Sequence, residues 1–210
     1  AKTEAAQERS HLGHNTLRPV AIHDLRLWAG DIGFVLDELE EMNQGASFLA
    51  GALDLERVGV MGFSKGGAVA GQFCVADERC KAGVNLTGFM YGDIVNMNLD
   101  KPFLFVSEEE PWCPDCFVND LFYKRAESDA YQMKIRGARH ASFGDFCLWG
   151  RLLQWANGDP PIEGERMTYI QNVYVRAFFD KHLKGLVSPL VDGPSTEFPE
   201  VVFRSNNNAP

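Results

Sequence analysis

Residues 57–75 constrain this chain more than any other stretch. Arg57-Val-Gly-Val-Met-Gly-Phe63 is a short apolar run of the kind that forms a buried strand. It leads directly into Gly62-Phe63-Ser64-Lys65-Gly66, and Lys65–Val75 is then rich in Gly and Ala and reads as a tightly packed helix. A G-x-S-x-G pentapeptide between a strand and a helix makes a strained turn that lifts the serine hydroxyl above the sheet edge. Glycines suit a turn with no room for side chains beside the serine, and Gly67 and Ala68 extend that small surface. The Lys65 amide, at the helix start, points where an oxyanion would develop. Ser64 is therefore the candidate nucleophile and the Lys65 N–H the candidate oxyanion donor. The competing reading is a tight turn whose serine only caps the helix. A phosphate-binding loop is excluded, because the spaced glycines required before Lys65 are missing.

The rest of the pattern alternates in the same way. Leu25, Trp28, Ile32, Val35, Leu36, Leu39 and Met42 recur at three- and four-residue steps and describe one long amphipathic helix, with Pro19 suited to its first turn and Gly45 to its end. Lys81–Leu86, Pro102–Ser107 and Tyr131–Arg136 read as strands, Phe117–Ala130 as a helix, and 163–183 as a last helix closed by Gly185. Strands alternating with helices imply an α/β fold, a mostly parallel sheet covered by helices. Residues 1–18 are polar and aperiodic and read as an arm or loop, 19–185 as the C-terminal portion of a catalytic domain, and 186–210 as a C-terminal extension.

Composition removes several classes of function. A net charge of −9 argues against a nucleic-acid partner, which calls for a basic face. No apolar run approaches the roughly 18–20 residues that cross a bilayer. The five cysteines are Cys74, Cys80, Cys113, Cys116 and Cys147, an odd number that does not make a dense disulfide framework. Only Cys113 and Cys116 are a close pair, and they could bridge or stay reduced. No metal site is expected, since His11-Leu-Gly-His14 is too isolated to supply a ligand set. The compartment stays open.

A serine hydroxyl is a poor nucleophile until an imidazole accepts its proton. His11, His14 and His23 precede the serine, whereas a base in this arrangement follows it. His182 sits within the last helix beside Lys181 and Lys184 and reads as a surface residue. His140 follows the strand at 131–136 by the short loop Gly137-Ala-Arg139, which sets it at the carboxyl edge of the sheet. It is the candidate base.

Three segments then carry a resemblance: Val58-Gly-Val-Met-Gly-Phe-Ser-Lys-Gly-Gly67, Ala82-Gly-Val-Asn-Leu-Thr-Gly-Phe-Met-Tyr-Gly-Asp93 and Arg139-His-Ala-Ser-Phe-Gly-Asp-Phe146. Together they resemble the platelet-activating-factor acetylhydrolase branch of the α/β-hydrolases, close to the cutinase-like polyester hydrolases, over about Pro19 to Gly185. The resemblance implies an α/β-hydrolase fold and a serine esterase or lipase-type enzyme without a cofactor, with Ser64 and His140 as nucleophile and base. One position departs. That branch carries its acid in a Leu-Asp-Gly-like segment, and here the segment reads Leu86-Thr87-Gly88. Glu108, Glu109 and Glu110 follow the next strand, where cutinase-like and many other α/β-hydrolases carry the acid. Glu110, directly before Pro111, fits best; Glu108 or Glu109, and behind them Asp93 or Asp145, remain open. The requirement is a carboxylate that holds the imidazole in the right tautomer.

The expected substrate is an ester, of short-chain, phospholipid-like or polyester type, with Phe89, Trp112 and Phe143 as candidate substrate-binding residues and Met90, Tyr91 and Trp149 beside them. Core packing competes with pocket lining for each. Two other classes remain. Trp112-Cys113-Pro114-Asp115-Cys116 between a strand and a helix could serve a thiol–disulfide oxidoreductase, although the covering Pro-containing turn is missing. A hydrolase-like scaffold used only for binding is the other, favoured by Thr87. Asn85-Leu86-Thr87 is formally a glycosylation sequon, discounted because it falls in or beside a buried strand. Only 63 residues precede Ser64, and no strand run is evident before Val58. The expectation is thus an α/β-hydrolase lacking its N-terminal strands, completed by an N-terminal fragment or second chain.

Overall fold

The computed structural model describes residues 19–109, 117–148 and 162–208. Helix α1 spans Pro19–Gln44, strand β1 Val58–Phe63, helix α2 Lys65–Ala76 and strand β2 Cys80–Leu86. Strand β3 spans Phe103–Glu108, helix α3 Phe117–Arg125, strand β4 Ala130–Ile135, helix α4 Gly164–Lys184 and strand β5 Val201–Ser205. The strands lie side by side in chain order, β1 to β4 parallel and β5 antiparallel to β4. The fold is α/β, as the alternation predicts.

Both faces of the sheet are covered, because side chains alternate across each strand. Ala82, Val84, Leu86, Leu104, Val106, Met133 and Ile135 form one core with Met167, Ile170, Tyr174 and Phe178 of α4. Phe103 and Phe105 turn the other way and pack with Leu25, Ala29 and Leu36 of α1, Phe73 of α2, and Val118 and Phe122 of α3. The buried stripe of α1 is narrower than its periodicity predicts: Trp28 and Val35 are exposed. Helix α4 begins with the Glu163 carboxylate accepting from the Glu165 and Arg166 amides and ends at Gly185, which takes the left-handed conformation at φ 66°.

Two features depart from the sequence pattern. Cys74 and Cys80, not read as a pair, form a disulfide that ties the end of α2 to the first residue of β2. The Cys113–Cys116 pair lies outside the described residues, as do His11 and His14. The segment read as a C-terminal extension supplies β5, and its alternation buries Val201, Phe203 and Ser205. Ahead of β5, Phe198 is buried at 5.3 Å from the Tyr174 ring, edge to face, with the Arg166 guanidinium over it at 5.0 Å. Arg166 also donates twice to Glu200, at 2.9 and 3.0 Å. The strand escaped the sequence reading because five residues with only three buried positions make a weak period-2 signal.

If these late residues belong to the core, Phe198→Ala should destabilise the protein by about 3–5 kcal/mol. Val202→Ala, half-exposed on the outer face of β5, should cost under about 1 kcal/mol. Thermal unfolding of the two variants checks this, and equal midpoints would contradict the assignment.

Candidate active site

The turn that carries Ser64, the candidate nucleophile, follows from parallel register. Phe63 pairs with Leu86, and Leu86 with Val106, so β1, β2 and β3 end on one edge of the sheet. At that edge the Ser64 amide donates to the Leu86 carbonyl at 2.8 Å, which extends the β1–β2 ladder by one bond before the chain turns into α2. Ser64 sits at φ 55°, ψ −121°, a conformation that L residues rarely adopt and that costs of order 1–3 kcal/mol. Its side chain makes no cap hydrogen bond to α2, which removes the capping reading of the serine. A Cβ at Gly62 would lie 2.0 Å from the Gly66 carbonyl oxygen, so the turn excludes any other residue there. Gly66 departs from expectation: a Cβ there would meet nothing, and the crowded position is Gly67, against Asn85.

Lys65 is the first residue of α2, so its amide is among those a helix leaves without an intrahelical acceptor. Its side chain is drawn toward α1, donating to Asp24 at 2.7 Å with the ammonium 4.1 Å from the Trp28 ring centroid.

His140 stands five residues past β4, at the start of the 3-10 turn His140–Phe143. The Arg139 amide donates to Ser142 Oγ at 3.0 Å and the Ser142 amide to the Arg139 carbonyl at 2.8 Å, which fixes that turn. The imidazole bridges the residues that follow β1 and β2. Its Nε2 lies 3.0 Å from Ser64 Oγ, and its Nδ1 lies 3.1 Å from Thr87 Oγ1. The Thr87 hydroxyl contacts Glu108 Oε2 in turn. Both Thr87 and Glu108 are buried. The structure thus joins Ser64, His140, Thr87 and Glu108 in one line along the sheet edge.

The other carboxylates read from the sequence lie elsewhere. Glu109 is exposed and faces Arg136 at 3.8 Å. Asp93 is held by Arg26 at 2.5 and 2.9 Å, and that hydrogen bonding keeps its carboxyl below the usual range. Asp145 is exposed at the start of the next 3-10 turn. Glu110 and Trp112 lie outside the described residues, as do the Cys113–Cys116 segment and Trp149. His182, read as a surface residue, is half-buried 3.1 Å from the Tyr131 hydroxyl, and burial lowers its pKa.

The aromatic candidates divide. Phe143 is buried in the core shared with α4, where it supports the turn carrying His140. Met90 and Tyr91 are buried on the opposite face of the sheet. Phe89 is only partly buried, 5.5 Å from Tyr91. The aromatic side chain that the sequence reading missed is Phe63, the variable residue of the pentapeptide. It is 41% exposed, and its ring centroid lies 5.0 Å from that of His140. Strand alternation could have found it, since Met61 and Phe63 share the outer face of β1 with partly open surroundings. Asn85 is buried, and its amide exchanges bonds with Gly88 at 3.0 and 2.7 Å, in keeping with a discounted sequon. Among the described residues no helix is long and apolar enough to cross a membrane.

This chain is similar to several characterised groups of proteins. It is 29% identical over 174 residues to a probable 1-alkyl-2-acetylglycerophosphocholine esterase of Arthroderma benhamiae, which covers 70% of this chain and 43% of that protein. It is 26% identical over 158 residues to the platelet-activating factor acetylhydrolase of Cavia porcellus, covering 73% of this chain and 36% of that one. The chain therefore spans less than half the length of these curated relatives. A solved ferulic acid esterase from Streptomyces cinnamoneus superposes with a TM-score of 0.75 at 29% identity, covering 89% of this chain and 56% of its own, so the α/β architecture is that of an α/β-hydrolase. Residues 31–186 match the family described as platelet-activating factor acetylhydrolase, isoform II; with most of its length inside that match, the chain belongs to this family.

Proposed function

We propose that the chain forms the catalytic face of a serine-dependent carboxylic ester hydrolase that works through an acyl-enzyme. The observation that carries this reading is the 3.0 Å separation of Ser64 Oγ and His140 Nε2, on a turn whose backbone holds the serine at φ 55°. That is hydrogen-bond reach for a nucleophile and its base. His140 takes the hydroxyl proton on Nε2 as Ser64 Oγ bonds to the ester carbonyl carbon. The carbonyl π pair moves to its oxygen, and the developing charge faces the Lys65 amide at the start of α2. When the tetrahedral species collapses, the C–O bond to the alcohol breaks and His140 returns the proton to that oxygen. Water then repeats the sequence on the acyl-enzyme and frees the acid.

For the substrate we propose an ester with a short acyl group, of phospholipid or polyester type. Support comes from the names of the relatives, an acetyl-glycerophosphocholine esterase among them, and from the apolar wall that the half-exposed Phe63 ring makes beside His140. The replacement of a carboxylate by Thr87 favours a second reading, a scaffold that binds without turnover.

Treating the complete protein with a fluorophosphonate probe separates the two: labelling at Ser64 is expected, and none would decide for the binding scaffold. Ser64→Ala and His140→Ala should each lower kcat/KM on 4-nitrophenyl acetate by at least about 10³-fold, and the double variant should be little worse, because the two groups act as a unit. Additive losses would show that they act separately. Phe63→Ala should raise KM for long-chain 4-nitrophenyl esters more than for the acetate. The comparison between substrates cancels any effect on His140, and an equal rise for both would remove Phe63 from the pocket.

A further inference from the structure

We infer that Glu108 serves as the acid partner of His140 through the hydroxyl of Thr87, so that the charge relay has four members in place of three. The inference rests on the reading of Ser64 and His140 as nucleophile and base. Thr87 and Glu108 are positioning residues, since neither touches the reacting atoms.

With Glu108 as a carboxylate, hydrogen-bond chemistry allows one polarity for this series of contacts. A carboxylate only accepts, so the single Thr87 proton points at Glu108 Oε2. The lone pairs of Thr87 Oγ1 are then left to accept the Nδ1–H of His140 at 3.1 Å. With the proton held on Nδ1, the Nε2 lone pair faces Ser64 Oγ at 3.0 Å. Every donor has one acceptor, and the tautomer is the one a general base needs. As Nε2 gains the serine proton, the imidazolium faces a hydroxyl already polarised by the buried carboxylate. No proton moves to Thr87 or Glu108; each keeps its own state through the cycle.

Two further observations show that this geometry is held in place. Thr87 sits at φ 51°, and among the described residues it and Ser64 are the non-glycine residues with positive φ. For a β-branched side chain that conformation is a genuine outlier, retained where the surroundings over-determine it. The surroundings do so: a Cβ at Gly88 would lie 2.1 Å from the Ser64 carbonyl oxygen, and that glycine's own carbonyl accepts from Asn85 at 3.0 Å and Asn119 at 2.7 Å. Glu108, the last residue of β3, is 7% exposed and aimed into the same edge, where an ionised carboxylate requires a donor.

The test uses the complete protein with 4-nitrophenyl acetate and fluorophosphonate labelling. Thr87→Val keeps the shape and removes the hydroxyl; Glu108→Gln keeps the shape and removes the charge. Each should lower kcat/KM by about 10²–10³-fold, and the double variant no further. Thr87→Ser should stay close to wild type. The decisive variant is Thr87→Asp with Glu108→Gln, which puts the carboxylate directly against Nδ1 and should recover most of the lost rate. A merely structural role for Glu108 does not predict the recovery. Wild-type activity in Glu108→Gln or in Thr87→Val overturns the relay, as does a loss that follows Glu110→Gln in place of Glu108→Gln. If Glu108→Gln fails to fold, the contrast of Thr87→Ser with Thr87→Val decides. Unchanged activity in Ser64→Ala would instead overturn the reading of Ser64 as the nucleophile, so the two failures are distinct.

Discussion

The hydrogen bond from the Ser64 amide to the Leu86 carbonyl ties the nucleophile turn to the end of the neighbouring strand, and the rest of the site depends on that tie. It sets where β1 stops relative to β2. The Thr87 amide makes the equivalent bond to the Val106 carbonyl, which sets where β2 stops relative to β3. Two successive strand ends are thereby aligned, and each hands its first residue past the ladder to the same edge. Ser64 and Thr87 are those residues, and both leave the sheet with positive φ. A shift of one residue in either register would send their side chains to the wrong side of the sheet.

The two cores explain how this edge stays rigid while its backbone is strained. Helix α4 and the late segment around Phe198 and Phe203 close one face, and α1, α2 and α3 close the other. The disulfide between Cys74 and Cys80 holds the crossover from α2 to β2 at the opposite end from the site. Packing on both faces leaves the carboxyl edge as the place where polar groups can converge. There the chain meets two demands at once, a Ser64 hydroxyl open to the His140 imidazole and a carboxylate kept out of water. A hydroxyl between imidazole and carboxylate satisfies both, since Glu108 remains buried while His140 remains exposed.

Much of this was legible in the residues. Ser64 follows from a glycine-bounded pentapeptide after an apolar run, and His140 from its place just past a strand. Both are local signals, carried by neighbours within a few positions. The aromatic readings fared less evenly, because an aromatic residue in a loop carries no mark of the face it will take. Phe143 went to the core, and Phe63, inside the motif itself, faces the imidazole. The long amphipathic helix was evident from its period, but Trp28 and Val35 on it stayed outside the core, because one side of α1 meets α2 and no described element covers the rest of its surface.

By itself the sequence determined the order of strands and helices as far as α4, the strained turn and the identities of Ser64 and His140 as a pair to be joined. Each of these rests on short-range chemistry: glycine's lack of a side chain, apolar runs and loop length. Only the tertiary structure decided that β5 closes the sheet, that Cys74 meets Cys80, and that the carboxylate reaching toward His140 is Glu108 by way of Thr87. Apart from the Cys74–Cys80 link, whose partners are six residues apart, these are matters of register between segments distant in the chain. The separation of two strand ends is set by backbone hydrogen bonds that every residue type can make, so no residue pattern announces it. Of the two described glutamates, Glu108 closes β3 and turns inward, while Glu109 just past it faces solvent.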